Sequence, residues 1–182
     1  MKRLDKNQFI RAPKEAIEEL HALPPNPPAI IHTQNTQQHT PEEWYNILQL
    51  DKLENIYKLP QGILKHLIEI EAQGNPLAQS PKGAKGLFQI MPPAQSGFTG
   101  DPFNPIEASR HAAKTLKDLY DHFQSWGEAL AAYNWGRGNV IRHGLSSAPT
   151  QTKRNLAHFK NRGINLNKLH SVNDVNMFNR AT

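Results

Sequence analysis

The sequence predicts a mainly α-helical fold built around one domain. Apolar residues recur at helical spacing in several segments, and N-cap residues followed by proline mark where these segments begin. A length of 182 residues suits one domain, or one domain with arms, and provides enough chain for a stable core. We therefore expect six or more helices and little sheet.

The composition excludes several classes of protein. The chain has no cysteine, which rules out disulfides, thiol catalysis, iron–sulfur clusters and cysteine-ligated zinc. No run approaches the roughly 18 apolar residues that are needed to cross a bilayer. The start, MKRLDKNQFIRAPKEAIEEL, has positive charges but no continuous apolar stretch behind them. We therefore expect neither a membrane anchor nor a signal peptide.

Pattern and charge divide the chain into three regions. Residues 1–39 form a proline-rich arm, in which a short amphipathic stretch precedes LPPNPPAI and the polar string HTQNTQQHT. Residues 40–163 form the domain, and residues 164–182 are a basic, asparagine-rich tail. Residues 146–182 hold six Lys or Arg against one acidic residue, whereas residues 41–145 hold ten against eleven. Such a basic end indicates a polyanionic partner, and the alternative is a solvated end that aids solubility.

The domain begins with a strong helix-start signal. Thr40 is the predicted N-cap, Pro41 takes the first helical position and Glu43 closes a capping box. Apolar residues at helical spacing then continue to Tyr57, over two short helices, before Pro60 ends the pattern.

The next predicted helix, residues 60–72, carries the most informative side chain. Its apolar face is formed by Ile63, Leu64, Leu67 and Ile68. Glu71 falls in the middle of that apolar face. Glu69 falls on the solvent-exposed face, where it is the predicted i, i+4 ion-pair partner of Lys65. Burial and the helix C-terminus should both raise the pKa of the Glu71 carboxyl, which is how a general acid is made. The alternative is a structural glutamate paired with backbone or an arginine.

Glycines and prolines predict a folded loop after this helix, with a short hairpin, and residues 72–100 contain no acidic residue. Asn104 caps the long core helix, which carries its buried stripe to Phe123. The segment GEALAAYNWG predicts a short, tightly packed helix, and a last helix over residues 150–161 ends at Gly163.

The order of these motifs resembles a known family. Glu71 is followed by GNPLAQSPKGAKGLFQIMP and then by AYNWGRGNV, over roughly residues 53–142. This arrangement resembles the lytic transglycosylase domain of the soluble-transglycosylase type, a lysozyme-like family that acts on peptidoglycan. The resemblance implies a helical, lysozyme-like or goose-type-lysozyme-like domain with a small irregular or hairpin loop region.

The resemblance also implies roles for individual residues. Glu71 would be the catalytic general acid and base. The residues that would bind substrate are Ser80, Gln89, Met91, Tyr133 and Asn134. Each has a plainer alternative, such as a turn for Ser80 or core filling for Met91. For Gln89 a contact with a ligand or with Glu71 is favoured, because a polar amide inside GLFQIM needs a polar partner.

The sequence departs from the family pattern at several positions. Ala72 stands where serine usually follows the catalytic glutamate, which removes one hydroxyl. Phe88 replaces methionine and Trp135 replaces a small residue, and both could widen an aromatic surface that stacks on a sugar. The later Pro-x-Glu-Thr-x-x-Tyr signature survives only weakly as PTQTKRN, with Gln151 and Asn155 at the altered positions.

One carboxylate implies a particular reaction. Glycosidases usually use two carboxylates, and the loop after Glu71 supplies no second one. The family's reaction instead cleaves the MurNAc–GlcNAc β-1,4 bond and leaves a 1,6-anhydromuramic end. A hydrolytic, goose-type-like lysozyme is the alternative, because Asp101 could fold back toward the groove. A second alternative is a non-catalytic protein that binds cell wall or another polyanion.

Expectations for cofactors, partners and location follow. No cofactor or metal is expected, since the nine histidines form no HExxH motif or close carboxylate cluster. The expected partners are peptidoglycan glycan strands and, through the basic tail, anionic outer-membrane lipid, with no nucleic acid and a monomeric state. The missing signal peptide favours a phage endolysin or virion lysin, made in the host cytoplasm and acting on the periplasmic wall. A mature exported chain is the alternative.

Overall fold

The computed structural model describes residues 37–167, which form eight α-helices and one short 3-10 turn. The predicted mainly α-helical fold is confirmed. The helices are α1 (Pro41–Ile47), α2 (Leu50–Tyr57), α3 (Ile63–Glu71), α4 (Pro93–Ser96), α5 (Pro105–Phe123), α6 (Trp126–Trp135), α7 (Arg137–His143) and α8 (Thr150–Asn161), with the 3-10 turn at Leu145–Ser147. None of the helices within 37–167 is long and apolar enough to cross a bilayer.

The helix starts follow the predicted caps. The Thr40 hydroxyl accepts from the Glu43 amide at 3.2 Å, and the Glu43 carboxylate accepts from the Thr40 amide at 2.8 Å. Asn104 accepts from the amides of Ile106 and Glu107 at the start of α5. Each cap satisfies backbone donors that the first helical turn leaves without a partner.

The core is centred on α5, which packs against α6 and α2. Small residues line its buried face: Ala108, Ala112 and Ala113 are fully buried beside Leu116. The facing helix α6 is also rich in buried alanine, so the two backbones approach closely. The paired helices α5 and α6 form the centre of the core, and α3 and the loop after it pack next to them.

A buried carboxylate holds the start of α3. The sequence pattern did not indicate this role. Glu54, on α2, is fully buried. It accepts hydrogen bonds from the Tyr45 hydroxyl at 2.7 Å and from the amides of Gly62 and Leu64 at 2.8 and 2.9 Å. Gly62 has no capping side chain of its own, so Glu54 supplies the cap from a neighbouring helix. The helix that carries Glu71 is thus fixed at its opposite end.

The segment between α3 and α4 is an irregular loop, as predicted. Its backbone forms two isolated antiparallel bridges, from Lys85 to Gln79 and to Ile90. Gly86 has a φ of +75°, and a Cβ atom there would lie 1.9 Å from the Pro102 carbonyl oxygen. Only glycine fits this close approach between the loop and the start of the α5 segment.

Two expectations about individual side chains were wrong. Phe88 is fully buried in the hydrophobic core, so its ring cannot stack on a sugar. Lys65 pairs with Glu42 at 2.7 Å instead of with Glu69. Glu69 is held by other partners, because α8 packs against that face of α3.

The predicted arm and tail fall largely outside residues 37–167. The amphipathic stretch 12–23 and the tail residues 168–182 are not among the described residues. Of the predicted tail, Ile164 is buried, and the Leu166 carbonyl accepts from the Gly127 amide at 3.1 Å. The first residues after α8 therefore pack on the start of α6.

Candidate active site

Glu71 is the last residue of α3, on the face that points into the molecule. Burial removes water from its carboxyl group and raises the pKa to about 7 from an ordinary value of 4.5. Within residues 37–167, no other group forms a hydrogen bond or ion pair with this carboxyl. The alternative of a structural glutamate, satisfied by backbone or an arginine, therefore does not describe this side chain.

Glu71 opens onto a cavity of about 310 Å³. The described residues that line it are Glu71, Ser80, Lys82, Ala84, Gln89, Met91, Tyr133, Asn134, Trp135, Pro149, Gln151 and Thr152. This set includes all six site residues named from the sequence. The structure thus brings together side chains from α3, the following loop and α6, with one wall supplied by α8.

Residues from the loop form one side of the cavity, and backbone contacts fix their positions. The Ser80 hydroxyl accepts from the Ala84 amide at 3.0 Å. The Gln89 side-chain amide donates to the carbonyls of Ala78 and Gly86 at 3.2 and 3.0 Å. Gln89 therefore contacts loop backbone and forms no hydrogen bond with Glu71. Its amide oxygen has no partner among residues 37–167 and is available to a ligand.

The end of α6 forms the opposite side. The Tyr133 hydroxyl donates to the Phe88 carbonyl at 2.8 Å. Burial, together with the negative charge of Glu71, raises the pKa of this hydroxyl well above its ordinary value, so it stays protonated. The Asn134 side-chain oxygen accepts from the Thr152 hydroxyl at 2.8 Å, which ties α6 to α8. Tyr133 and Asn134 are therefore both held in place before any ligand binds.

A second cavity, of about 450 Å³, continues the first. The two share the lining residues Lys82, Gln89, Met91, Tyr133, Asn134 and Trp135. The second adds His111 and Arg137. Together the two cavities form one groove, and Glu71 lies in the wall of its smaller part. A continuous groove of this kind can hold an elongated ligand.

Several lining residues were not named as site residues from the sequence. Trp135 lines both cavities, and it was noted only as an unusual aromatic residue. Gln151 and Thr152 come from the start of α8, where PTQTKRN is the weak trace of the family signature. This weak motif was the sequence feature from which Gln151 and Thr152 could have been predicted. No sequence feature indicates Lys82 or Pro149, because only the tertiary fold brings them to the groove.

Asp101, the second carboxylate considered from the sequence, lies away from the groove. Its side chain accepts from the Phe103 amide at 2.9 Å in an exposed turn before α5. Among the described residues that line the two cavities, Glu71 is the only carboxylate. The hydrolase alternative depended on Asp101 folding back toward the groove, whereas the structure places its carboxylate on the amide of Phe103.

One group of described residues could hold a metal ion, and it lies outside both cavities. Its members are His66 and Glu69 on α3 and His158 on α8, with one ligand atom from each lying within 4.8 Å of the others. No residue of this group lines the groove. The chemistry at Glu71 therefore has to be considered separately from this cluster.

Comparisons with known proteins agree with the geometry. The chain is 32% identical to the membrane-bound lytic murein transglycosylase F of Aliivibrio fischeri over a region covering 51% of this chain and 21% of that protein. It is 31% identical to the transglycosylase of Enterobacteria phage PRD1 over 44% of this chain and 31% of the relative. The chain thus matches less than a third of each relative's length.

The family model for the transglycosylase SLT domain matches residues 49–156. This range is more than half of the chain and contains α3, the loop, α5, α6 and the start of α8. Because it includes Glu71 and every other residue that lines its cavity, the chain belongs to the transglycosylase SLT domain family.

Proposed function

We propose that this protein is a peptidoglycan lytic transglycosylase in which Glu71 acts first as general acid and then as general base. The observation that carries the proposal is a single carboxyl group, buried, with a pKa of about 7, in the wall of a groove. A group with that pKa can both give and take a proton near neutral pH. The names of the two relatives also support this activity.

The reaction begins with proton transfer from Glu71 to the oxygen of the MurNAc–GlcNAc β-1,4 bond. As the bond between C1 and this oxygen breaks, positive charge develops on the muramyl ring, and its own N-acetyl group stabilises that charge. The 6-hydroxyl oxygen of the same sugar then attacks C1, and Glu71 takes the hydroxyl proton. The product is a 1,6-anhydromuramic end, and no water is consumed.

The other cavity residues position the glycan strand. Ser80, Gln89 and Asn134 present hydroxyl and amide groups to the sugar, while Met91 and Tyr133 provide apolar surface beside them. Trp135 lines both cavities and offers a ring face on which a neighbouring sugar can stack. A glycan strand lying in this groove would pass directly over Glu71.

The first experiment compares Glu71→Gln with the wild-type protein on purified cell wall. Gln keeps the shape but cannot transfer a proton, so cleavage should fall by about 10²- to 10⁴-fold. Glu42→Gln, which neutralises an exposed glutamate, is the matched control and should retain full activity. Cleavage by Glu71→Gln within a few-fold of wild type would refute the assignment. Binding without cleavage by the wild-type protein would favour a non-catalytic wall-binding protein.

The products distinguish the transglycosylase from a hydrolase. Anhydro ends are lighter than reducing ends by one water, so mass analysis of the released muropeptides separates the two. Digestion in ¹⁸O-labelled water should leave the label out of the products. Asp101→Asn should reduce turnover only modestly, because its carboxylate lies in a separate turn. Labelled reducing ends that disappear in Asp101→Asn would establish the hydrolase instead.

The biological setting that we propose is lysis of a bacterial host by a phage. One relative is a phage transglycosylase, which supports this setting. The enzyme would be made in the host cytoplasm and would reach the periplasmic wall as an endolysin or with the virion. Cytoplasmic expression should lyse cells only when a separate membrane lesion is supplied. Lysis without any lesion would contradict the endolysin route.

A further inference from the structure

The face of α3 opposite to Glu71 carries a cluster that the proposed reaction does not use. Glu69 Oε2 lies 2.8 Å from His158 Nε2 and 3.2 Å from His66 Nδ1. Arg162, just after α8, places its Nε atom 2.8 Å from the same oxygen. Two imidazoles and one guanidinium thus converge on a single carboxylate oxygen.

We propose that His66, Glu69 and His158 form a binding site for a zinc-class divalent metal ion that joins α3 to α8. Imidazole nitrogen and carboxylate oxygen are ligands that Zn²⁺ prefers, and three protein ligands leave one position for water. Around a tetrahedral zinc ion with bonds of about 2.0–2.2 Å, ligand atoms lie roughly 3.3–3.5 Å apart. The two observed spacings to Glu69 Oε2 are 2.8 and 3.2 Å, and the three ligand atoms all lie within 4.8 Å of one another. Side-chain shifts of roughly 0.1–0.7 Å at Glu69 would bring its two spacings to the tetrahedral values.

The local environment suits such an ion. The side chains of His66, Glu69 and His158 are 12%, 25% and 24% exposed, so they are held by packing yet reachable from solvent.

Arg162 and a metal ion would compete for the same carboxylate oxygen of Glu69. Its side chain is 40% exposed, and it supplies Glu69 with the positive charge that a metal ion would otherwise supply. A guanidinium and a metal ion cannot occupy the same side of Glu69 Oε2, because like charges repel. Arg162 must therefore move away when the metal binds. Removing its charge should strengthen metal binding, whereas removing an imidazole should weaken it.

The first test titrates the full-length chain with Zn²⁺ by calorimetry. The melting temperature of the chain is also measured with Zn²⁺, in the presence and absence of a chelator. Arg162→Gln should bind Zn²⁺ at least about tenfold more tightly than the wild type. His66→Gln and His158→Gln should each bind at least tenfold more weakly. His143→Gln removes an exposed histidine outside the cluster and should leave the affinity unchanged. Circular dichroism checks that each variant is folded.

Cobalt(II) gives a second readout that does not depend on stability or activity. A bound tetrahedral Co²⁺ ion absorbs strongly in the visible region, and this band should appear in wild type and Arg162→Gln but not in His158→Gln. Two results would overturn the site: histidine variants that bind Zn²⁺ as tightly as the wild type, or Arg162→Gln that binds no more tightly. The cluster would then be an ion-pair network only. Neither result bears on the proposed glycan cleavage, which is measured separately.

Discussion

The Tyr133 hydroxyl donates a 2.8 Å hydrogen bond to the Phe88 carbonyl. This contact links the end of α6 to the loop after α3, and Phe88 directly precedes Gln89, which lines the same cavity. Phe88 is itself fully buried, so the loop is fixed by its side chain and by its carbonyl. The wall that faces Glu71 is therefore anchored from two directions.

Tyr133→Phe should test this anchor. The substitution leaves the Phe88 carbonyl without its partner, and an unpaired buried carbonyl costs about 1–3 kcal/mol. We expect unfolding by urea to report that loss, with a lower kcat because the loop shifts. Tyr120→Phe is the matched control: Tyr120 stacks on Trp126, and within residues 37–167 its hydroxyl forms no hydrogen bond. Equal stability of both variants would show that the hydroxyl contact contributes nothing.

The pKa of Glu71 sets the pH dependence of cleavage. As the general acid, Glu71 must be protonated, and its pKa is about 7. On peptide-free glycan strands, kcat/KM should therefore fall tenfold per pH unit once the pH exceeds about 7. An alkaline limb that begins near the ordinary value of 4.5 would contradict the burial of this group.

Glu71 should also reduce the stability of the folded protein. Its folded-state pKa of about 7 lies above the ordinary value of 4.5, so stability is fully present below pH 4.5 and is lost as the pH rises toward 7. The loss amounts to about 3 kcal/mol, since each pKa unit corresponds to about 1.4 kcal/mol. Glu71→Gln carries no charge and should be more stable than wild type by that amount at pH 8, yet equal to it at pH 4. Urea unfolding at both pH values checks this, with Glu42→Gln as a control that should show no such gain.

The basic C-terminal region should act through charge, although part of it lies outside residues 37–167. Lys153, Arg154 and Lys160 are exposed on α8, whereas Arg162 is paired with Glu69. Replacing Lys153, Arg154, Lys160, Lys168 and Arg180 with Gln should weaken binding to vesicles of anionic outer-membrane lipid at 0.1 M salt.

Cleavage of soluble glycan should stay nearly unchanged in this variant, because Lys153, Arg154 and Lys160, the replaced residues that the structure describes, do not line the groove. Exposed charge attraction is screened as the Debye length falls from about 10 Å at 0.1 M salt to about 3 Å at 1 M, so the difference from wild type should vanish at high salt. Binding equal to wild type at 0.1 M would mean that these charges only aid solubility.

The sequence by itself determined most of the helices and the position of Glu71 on its helix face. Thr40 and Asn104 signal helix starts because a capping side chain bonds to amides only two or three residues away. The 3.6-residue period likewise shows that Glu71 shares the apolar face of α3. These features depend on neighbours in the chain, so local pattern is sufficient to predict them.

Only the tertiary structure decided which groups meet across the fold. Glu54 caps α3 from another helix, and Glu69 bonds to His158, which is 89 residues away in sequence. Asp101 turns to the amide of Phe103 instead of entering the groove. A periodic pattern shows which face of a helix is buried but not which helix covers it, because that choice depends on how all the helices pack together.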